Sequence, residues 1–166
     1  MKIIAIVGSP RSTGNTNYLI DQALQEADTQ GFEKDKIILS QYQVNPCLGH
    51  ANYSSFEMCQ QDDDTHWILD KSRSADGIIL GNPVYYYNMT AQMKAFVDRN
   101  YFLYTHGIPF NALCAGLIVV AGDTGMDHTV RALRRFVKLS TDMPEDNIII
   151  LTRQASKPGD VKSNLP

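Results

Sequence analysis

The fold is decided by the N-terminal stretch Ile3-Ile-Ala-Ile-Val-Gly-Ser-Pro-Arg-Ser-Thr-Gly-Asn-Thr16. An apolar run ends at Gly8, a loop rich in hydroxyl groups follows, and a helical pattern starts directly afterwards. A buried strand that leads through a polar loop into a helix places free backbone N–H groups and the positive end of the helix dipole at that loop. This stretch therefore predicts an anion site, and the identity of the anion decides the function.

Further apolar runs and helical patterns alternate along the rest of the chain. We expect strands at residues 2–7, 36–39, 77–80, 113–120 and 147–151, and helices at residues 17–30, 63–74, 90–100 and 127–140. The helical patterns place Trp67, Ile68, Met93, Phe96, Leu133, Phe136 and Val137 inward. Continuous apolar strands that alternate with helices are typical of an open, doubly wound parallel sheet. After residue 151 the chain is too polar and short to predict a packed last helix, so that helix is truncated or a partner covers the exposed sheet face.

Composition limits the function classes. The 166 residues predict one domain, 1–166, and the net charge of −3 gives no reason to expect nucleic-acid binding. No apolar run is long enough to span a bilayer, so we expect no membrane association. Three cysteines and no secretory signal indicate a reducing, cytoplasmic location.

The residues of the first loop exclude several common phosphate sites. Five residues separate Gly8 from Gly14, and Asn15 stands where the lysine of an NTPase P-loop is needed. The loop also lacks the glycine pattern of a dinucleotide fold and the cysteine nucleophile of a small tyrosine phosphatase. What remains suits a terminal phosphate monoester, with candidate ligands at Ser9, Arg11, Ser12, Asn15 and Thr16. The alternative is an ordinary polar turn in which Thr13 or Asn15 caps the helix.

A second loop follows the third predicted strand, where ligands bind in open α/β sheets. A flat ring system needs an apolar or aromatic wall, and the candidates are Pro83, Val84, Tyr85, Tyr86 and Asn88. Three consecutive tyrosines cannot all face one way, so we assign Tyr87 to packing or to an interface.

Together, the first loop and the segment Asp76-Gly-Ile-Ile-Leu-Gly-Asn-Pro-Val-Tyr-Tyr-Tyr-Asn-Met-Thr-Ala-Gln-Met-Lys-Ala-Phe-Val-Asp-Arg99 resemble the NADPH-dependent FMN reductase family, a flavodoxin-like group. The resemblance implies a flavodoxin-like fold, FMN as a non-covalent cofactor and NAD(P)H as co-substrate. It also implies a hydride transfer through flavin N5 and a homodimer or homotetramer. In the third loop it places Gly122 and Thr124 near the flavin, whereas we expect Asp123 to cap the next helix.

Residues 44–61 depart from one branch of this family, the iron–sulfur flavoproteins. That branch carries a compact four-cysteine motif, and the matching positions here are Cys47, His50, Tyr53 and Cys59. Because a [4Fe–4S] cluster is held by four thiolates, we predict no cluster. Zinc held by Cys47, His50 and Cys59 with an acid from residues 62–64 is an alternative, but one Cys-x2-His pair and a distant cysteine form a weak pattern, so we predict reduced, structural cysteines and no metal. This long segment is a candidate lid or subunit interface.

The sequence thus predicts an NAD(P)H-dependent FMN or quinone oxidoreductase whose acceptor is a small molecule. No catalytic side chain is assigned, because the flavin carries the chemistry. Two alternatives stay open. One is an electron carrier that a partner protein reduces, and the other is a degenerate, non-catalytic phosphate-binding module.

Overall fold

The computed structural model describes residues 1–49 and 59–163. Its strands are β1 (Lys2–Val7), β2 (Glu33–Ile38), β3 (Gly77–Pro83), β4 (Cys114–Ala121) and β5 (Ile148–Gln154). Its helices are α1 (Asn15–Thr29), α2 (Thr65–Ser74), α3 (Ala91–Arg99), α4 (Tyr101–Thr105), α5 (Met126–Ser140) and α6 (Asp160–Ser163). The strands form one parallel sheet in the order β2-β1-β3-β4-β5. The predicted doubly wound, flavodoxin-like fold is therefore confirmed.

The sheet separates two apolar layers, because neighbouring residues of a strand point to opposite faces. In β1, Ile4 and Ile6 belong to the layer that contains α2, α3 and α5, whereas Ala5 and Val7 belong to the layer on the α1 side. The edge strands carry a weaker apolar signal, since β2 begins with Glu33-Lys-Asp-Lys and β5 ends with Thr152-Arg-Gln. The predicted strands at 36–39 and 147–151 therefore miss residues 33–35 of β2 and residues 152–154 of β5.

The predicted helix faces are largely correct. Met93, Phe96, Leu133, Phe136 and Val137 are all buried in the core. One expectation is wrong: Trp67 stays 44% exposed and does not enter the core. Its ring lies against Tyr42, with the ring centroids 5.3 Å apart, and the Lys71 ammonium lies over it.

The chain after β5 forms the short helix α6, which the sequence did not predict. Val161 is buried in the apolar layer on the α1 side. On the same side, an apolar cavity of about 310 Å³ runs along β3, β4 and β5, past Ile79, Gly116, Ile118 and Leu151. The described helix α6 therefore leaves part of this sheet face uncovered. In residues 1–49 and 59–163, no helix is long and apolar enough to cross a membrane.

Candidate functional site

The candidate site begins where β1 passes close to β3. The Gly8 N–H donates to the Gly81 carbonyl over 2.8 Å. A Cβ atom on Gly8 would lie 2.4 Å from Asn82 Oδ1 and 2.8 Å from Thr90 Oγ1. Both distances are shorter than real side chains tolerate. Glycine is therefore required at position 8, because the first loop leaves the sheet in direct contact with the second.

A buried polar network fixes these two loops to each other. Asn82 Nδ2 donates to the Pro83 carbonyl over 2.6 Å, and Asn82 Oδ1 accepts from the Thr90 N–H over 3.3 Å. The Thr90 hydroxyl lies 2.9 Å from the Gly8 carbonyl oxygen and also accepts from the Met93 N–H, which caps α3. We did not predict Asn82 or Thr90 as site residues. The signal available in the sequence was a polar residue at the carboxyl end of an apolar strand.

Helix α1 begins at the candidate anion site without a side-chain cap. Its N-cap is Gly14, so the alternative in which Thr13 or Asn15 caps the helix is wrong. The first backbone N–H groups of any helix lack partners within the helix, and they carry partial positive charge. Thr16 is 2% exposed, yet its hydroxyl has no hydrogen-bond partner among the described residues. The hydroxyl is not among the fully enclosed polar atoms that lack a partner, and Thr16 lines the cavity at this edge of the sheet, so this donor is available to an anion.

The three loops enclose a cavity of about 150 Å³ at the carboxyl edge of the sheet. Eight of the predicted site residues line it: Ser9, Arg11, Asn15, Thr16, Pro83, Val84, Tyr85 and Gly122. Among the described residues, the charged ones that line it are Arg11 and Lys157, and none of them is a carboxylate. A cavity that is lined by two basic residues and by an uncapped helix start fits a phosphate dianion. The individual ligand roles stay predictions.

Four of the predicted site residues, Ser12, Tyr86, Asn88 and Thr124, lie outside this lining. Tyr86 is 97% exposed at the tip of a tight turn in which Tyr85 and Asn88 exchange backbone hydrogen bonds. Tyr86 and Tyr87 both have positive φ, at 48° and 66°, which is unfavourable for bulky residues. The Asn88 side chain is occupied locally, because its Oδ1 accepts from the Met89 N–H over 2.8 Å.

The third loop packs against this turn. Gly125, at φ 89°, lies so close that an added Cβ would be 2.8 Å from the Tyr87 Cα atom. The contact is with the Tyr87 backbone, while the Tyr87 side chain is 62% exposed, so its assignment to packing or to an interface stays a prediction. Gly125 is also the N-cap of α5, and no side chain caps that helix. The expectation that Asp123 caps α5 is therefore wrong, and the Asp123 side chain is exposed.

Residues 155–158 form the fourth wall of the cavity, which we did not predict. We treated these residues as a polar tail. The strand order could have predicted this wall, because β5 ends at the same edge of the sheet as β1, β3 and β4. Asn15 holds this wall through its side-chain amide, with Nδ2 donating to the Lys157 carbonyl and Oδ1 accepting from the Gly159 N–H, both over 2.8 Å. This use leaves the Asn15 side chain one N–H for a ligand.

A buried ion pair joins the end of α3 to Asp63. The Arg99 guanidinium donates to the Asp63 carboxylate and to the Asn45 carbonyl, and the Asp63 side chain is fully buried. Burial alone would raise the pKa of Asp63. Hydrogen bonds from Arg99 and from the N–H groups of Asn45 and Thr65 outweigh burial and lower the pKa to about 2.

The same region carries the cysteines that we compared with a cluster motif. Cys47 is exposed, and Cys59 accepts a long hydrogen bond of 3.6 Å from Arg99 Nη2. His50 and Tyr53 lie outside the described residues, and residues 50–58 contain no cysteine in the sequence. Within residues 1–49 and 59–163, no three His, Cys, Asp or Glu side chains are placed to hold a metal ion. Two thiols do not fit a four-thiolate cluster.

Comparisons with known proteins bear on this site. A family model described as NADPH-dependent FMN reductase matches residues 1–147. An Archaeoglobus fulgidus protein named iron-sulfur flavoprotein is 38% identical over 130 residues, which cover 78% of this chain and 59% of that protein. A Methanosarcina thermophila protein of the same name is 34% identical over 141 residues, which cover 84% of this chain and 74% of that protein. The chain thus spans about three fifths of the first relative's length.

A solved structure shares the fold at low sequence identity. The NAD(P)H:quinone oxidoreductase from Methanothermobacter marburgensis aligns with a TM-score of 0.72 at 14% identity, over 96% of this chain and 86% of that one. At this identity the likeness concerns the fold alone. The family match covers most of the chain, including all three loops of the site. This chain therefore belongs to the NADPH-dependent FMN reductase family.

Proposed function

We propose that this protein binds FMN non-covalently and acts as an NAD(P)H-dependent oxidoreductase that reduces a flavin or a quinone. One observation carries the proposal. The cavity at the carboxyl edge joins an uncapped helix start and the unpartnered hydroxyl of Thr16 to the apolar wall made by Pro83, Val84 and Tyr85. An anion subsite next to an apolar wall suits a flat ring that carries a terminal phosphate.

The phosphate subsite is the part that the described residues support best. We assign the phosphate to the N–H groups at the start of α1, the Thr16 hydroxyl and the Arg11 guanidinium. Ser9 is 3% exposed and shares its hydroxyl with the Arg11 backbone through bonds of 3.3 and 3.4 Å. These weak bonds leave Ser9 free to turn toward an anion.

The ring subsite is more open than the phosphate subsite. The cavity of about 150 Å³ is smaller than the ~300–1,000 Å³ of whole cofactor pockets, so it matches the phosphate-bearing end of FMN. We assign the isoalloxazine ring to the open side, beside Val84 and Tyr85. Tyr85 is 40% exposed there and offers an aromatic face.

When bound, FMN supplies the redox chemistry, exchanging a hydride at its N5 atom with NAD(P)H and with the acceptor. The protein residues bind and orient. The Gly8–Asn82–Thr90 network holds the phosphate loop and the ring loop at a fixed separation, which is what orientation of the ring requires. We derive no step through an iron–sulfur cluster, because residues 44–61 provide two of the four thiolates that it needs.

We also propose that the protein assembles as a homodimer or homotetramer. A largely apolar groove of about 530 Å³ lies between α3, α4 and α5. Tyr101, Tyr104 and Leu139 line it, and each is 44–50% exposed. Such a patch supports self-association. Multi-angle light scattering tests this proposal, and a monomer at micromolar concentration would contradict it.

A steady-state assay tests the proposed activity against the electron-carrier alternative. The FMN-loaded protein is mixed with NADPH or NADH and with a quinone, and nicotinamide oxidation is followed by absorbance. We expect oxidation well above the rate of the same concentration of free FMN. A rate equal to that of free FMN would contradict the oxidoreductase and favour a carrier.

A further inference from the structure

Residues 155–159 form a strap that crosses the carboxyl edge of the sheet. Residues 155–158 of the strap line the same cavity as Ser9 and Thr16 of the phosphate loop. The family match ends at residue 147, so nothing in that match assigns a role to the strap. A wall that follows the last strand and contacts the first loop is a candidate part of the site.

The strap is fixed on both of its sides. On one side, the Asn15 amide bonds the Lys157 carbonyl and the Gly159 N–H, both over 2.8 Å. On the other, the Ala155 N–H donates to the Ala121 carbonyl and the Ser156 hydroxyl donates to the Gly122 carbonyl, again over 2.8 Å. The strap backbone is therefore positioned by the phosphate loop and by the third loop together.

The turn of the strap is also fixed from within. Asp160 Oδ2 accepts from the N–H groups of Ser156 and Lys157, over 3.0 and 2.7 Å. Since these bonds use the backbone of Lys157, its ammonium group stays available. Among the described residues, neither the Lys157 ammonium nor the Arg11 guanidinium has an acidic partner. Two residues that carry unpaired cationic groups thus line one small cavity in a protein of net charge −3.

We infer that Lys157 is a second cationic ligand of the FMN phosphate, brought to the site by the Asn15 clamp on the strap. This inference rests on the proposed function. Arg11 from the first loop and Lys157 from the strap reach the cavity from different segments, and together they balance the two charges of a phosphate monoester. Asn15 is then a positioning residue, because its side chain acts through the strap.

The test compares two ligands that differ only by the phosphate. Dissociation constants for FMN and for riboflavin are measured by flavin fluorescence on the wild type, on Lys157→Ala and on the matched control Lys162→Ala. Lys162 lies on α6 over the Tyr18 ring, outside the cavity lining. We expect Lys157→Ala to weaken FMN binding about tenfold, with riboflavin binding unchanged, and Lys162→Ala to change neither. Thermal melting of each apoprotein verifies that the variants fold.

The outcomes separate this inference from the proposed function. If the wild type binds FMN and Lys157→Ala binds it equally well, the role of Lys157 is wrong, while the FMN site remains supported. The same conclusion follows if Lys157→Ala loses affinity for FMN and for riboflavin equally. If the wild type binds neither flavin, both the role of Lys157 and the proposed FMN site are contradicted. A double-mutant cycle tests the clamp: Asn15→Ala should weaken FMN binding less in the Lys157→Ala background than in the wild type. Independent effects would contradict the positioning role of Asn15.

Discussion

Replacing Thr16 by valine separates the binding role of this side chain from its structural role. Valine has the same shape and keeps the methyl group that faces Gly81, but it removes the unpartnered hydroxyl. A hydrogen bond to a charged group contributes about 1.5–3 kcal/mol, so we expect FMN affinity to fall by about 10-fold to 150-fold. Stability should stay the same or rise by up to about 1 kcal/mol, because the hydroxyl gains nothing from the apoprotein.

Two measurements on the same variants check this expectation. Fluorescence titration gives the FMN dissociation constant, and urea denaturation of the apoprotein gives the free energy of unfolding. Thr16→Ser is the matched control, because it keeps the hydroxyl and removes the buried methyl group. It should hold FMN nearly as well as the wild type while losing about 1 kcal/mol of stability. Wild-type FMN affinity in Thr16→Val would refute the assignment of this hydroxyl to the phosphate.

The remaining predictions concern the frame around the site. Gly8→Ala should lower the free energy of unfolding by about 3 kcal/mol or more, because the new methyl group displaces the buried Asn82–Thr90 network. Gly116→Ala is the control, because its added Cβ would meet its nearest neighbour at 3.5 Å, and urea denaturation should show it to be nearly neutral. Equal stabilities of the two variants would contradict the close approach at Gly8. Asp63→Asn should cost about 3–5 kcal/mol, because it leaves the Arg99 guanidinium buried without its counter-charge. The pKa of Asp63 is about 2 in the folded protein against 3.8 ordinarily, so its contribution is complete above about pH 4 and is lost as the pH falls toward 2. A urea midpoint in Asp63→Asn that falls over this pH range as steeply as in the wild type would contradict the pair.

The central strands and the phosphate loop could be predicted from sequence because their signals are local. An apolar run that ends at Gly8 identifies β1, and the hydroxyl-rich loop identifies an anion site. The full length of the edge strands was harder to predict. They have one strand neighbour each and are partly solvated, so the polar residues 33–36 and 152–154 belong to strands despite their composition.

The parts of the site that sequence reasoning missed are non-local. The contacts of Asn15 with Lys157 and Gly159 could not be predicted, because these residues lie more than 140 positions further along the chain; its role as a phosphate ligand stays a prediction. We expected Asp123 to cap α5, but the N-cap is Gly125, which lies close to the backbone of Tyr87 in the second loop. Only the meeting of four strand ends at one edge reveals such contacts.

The most direct test of the FMN assignment is the visible spectrum of the purified protein after incubation with FMN and removal of free ligand. We predict that the protein keeps about one FMN per chain, with the flavin absorbance bands retained and the bound flavin released on denaturation. A colourless protein with no measurable FMN affinity would contradict the account.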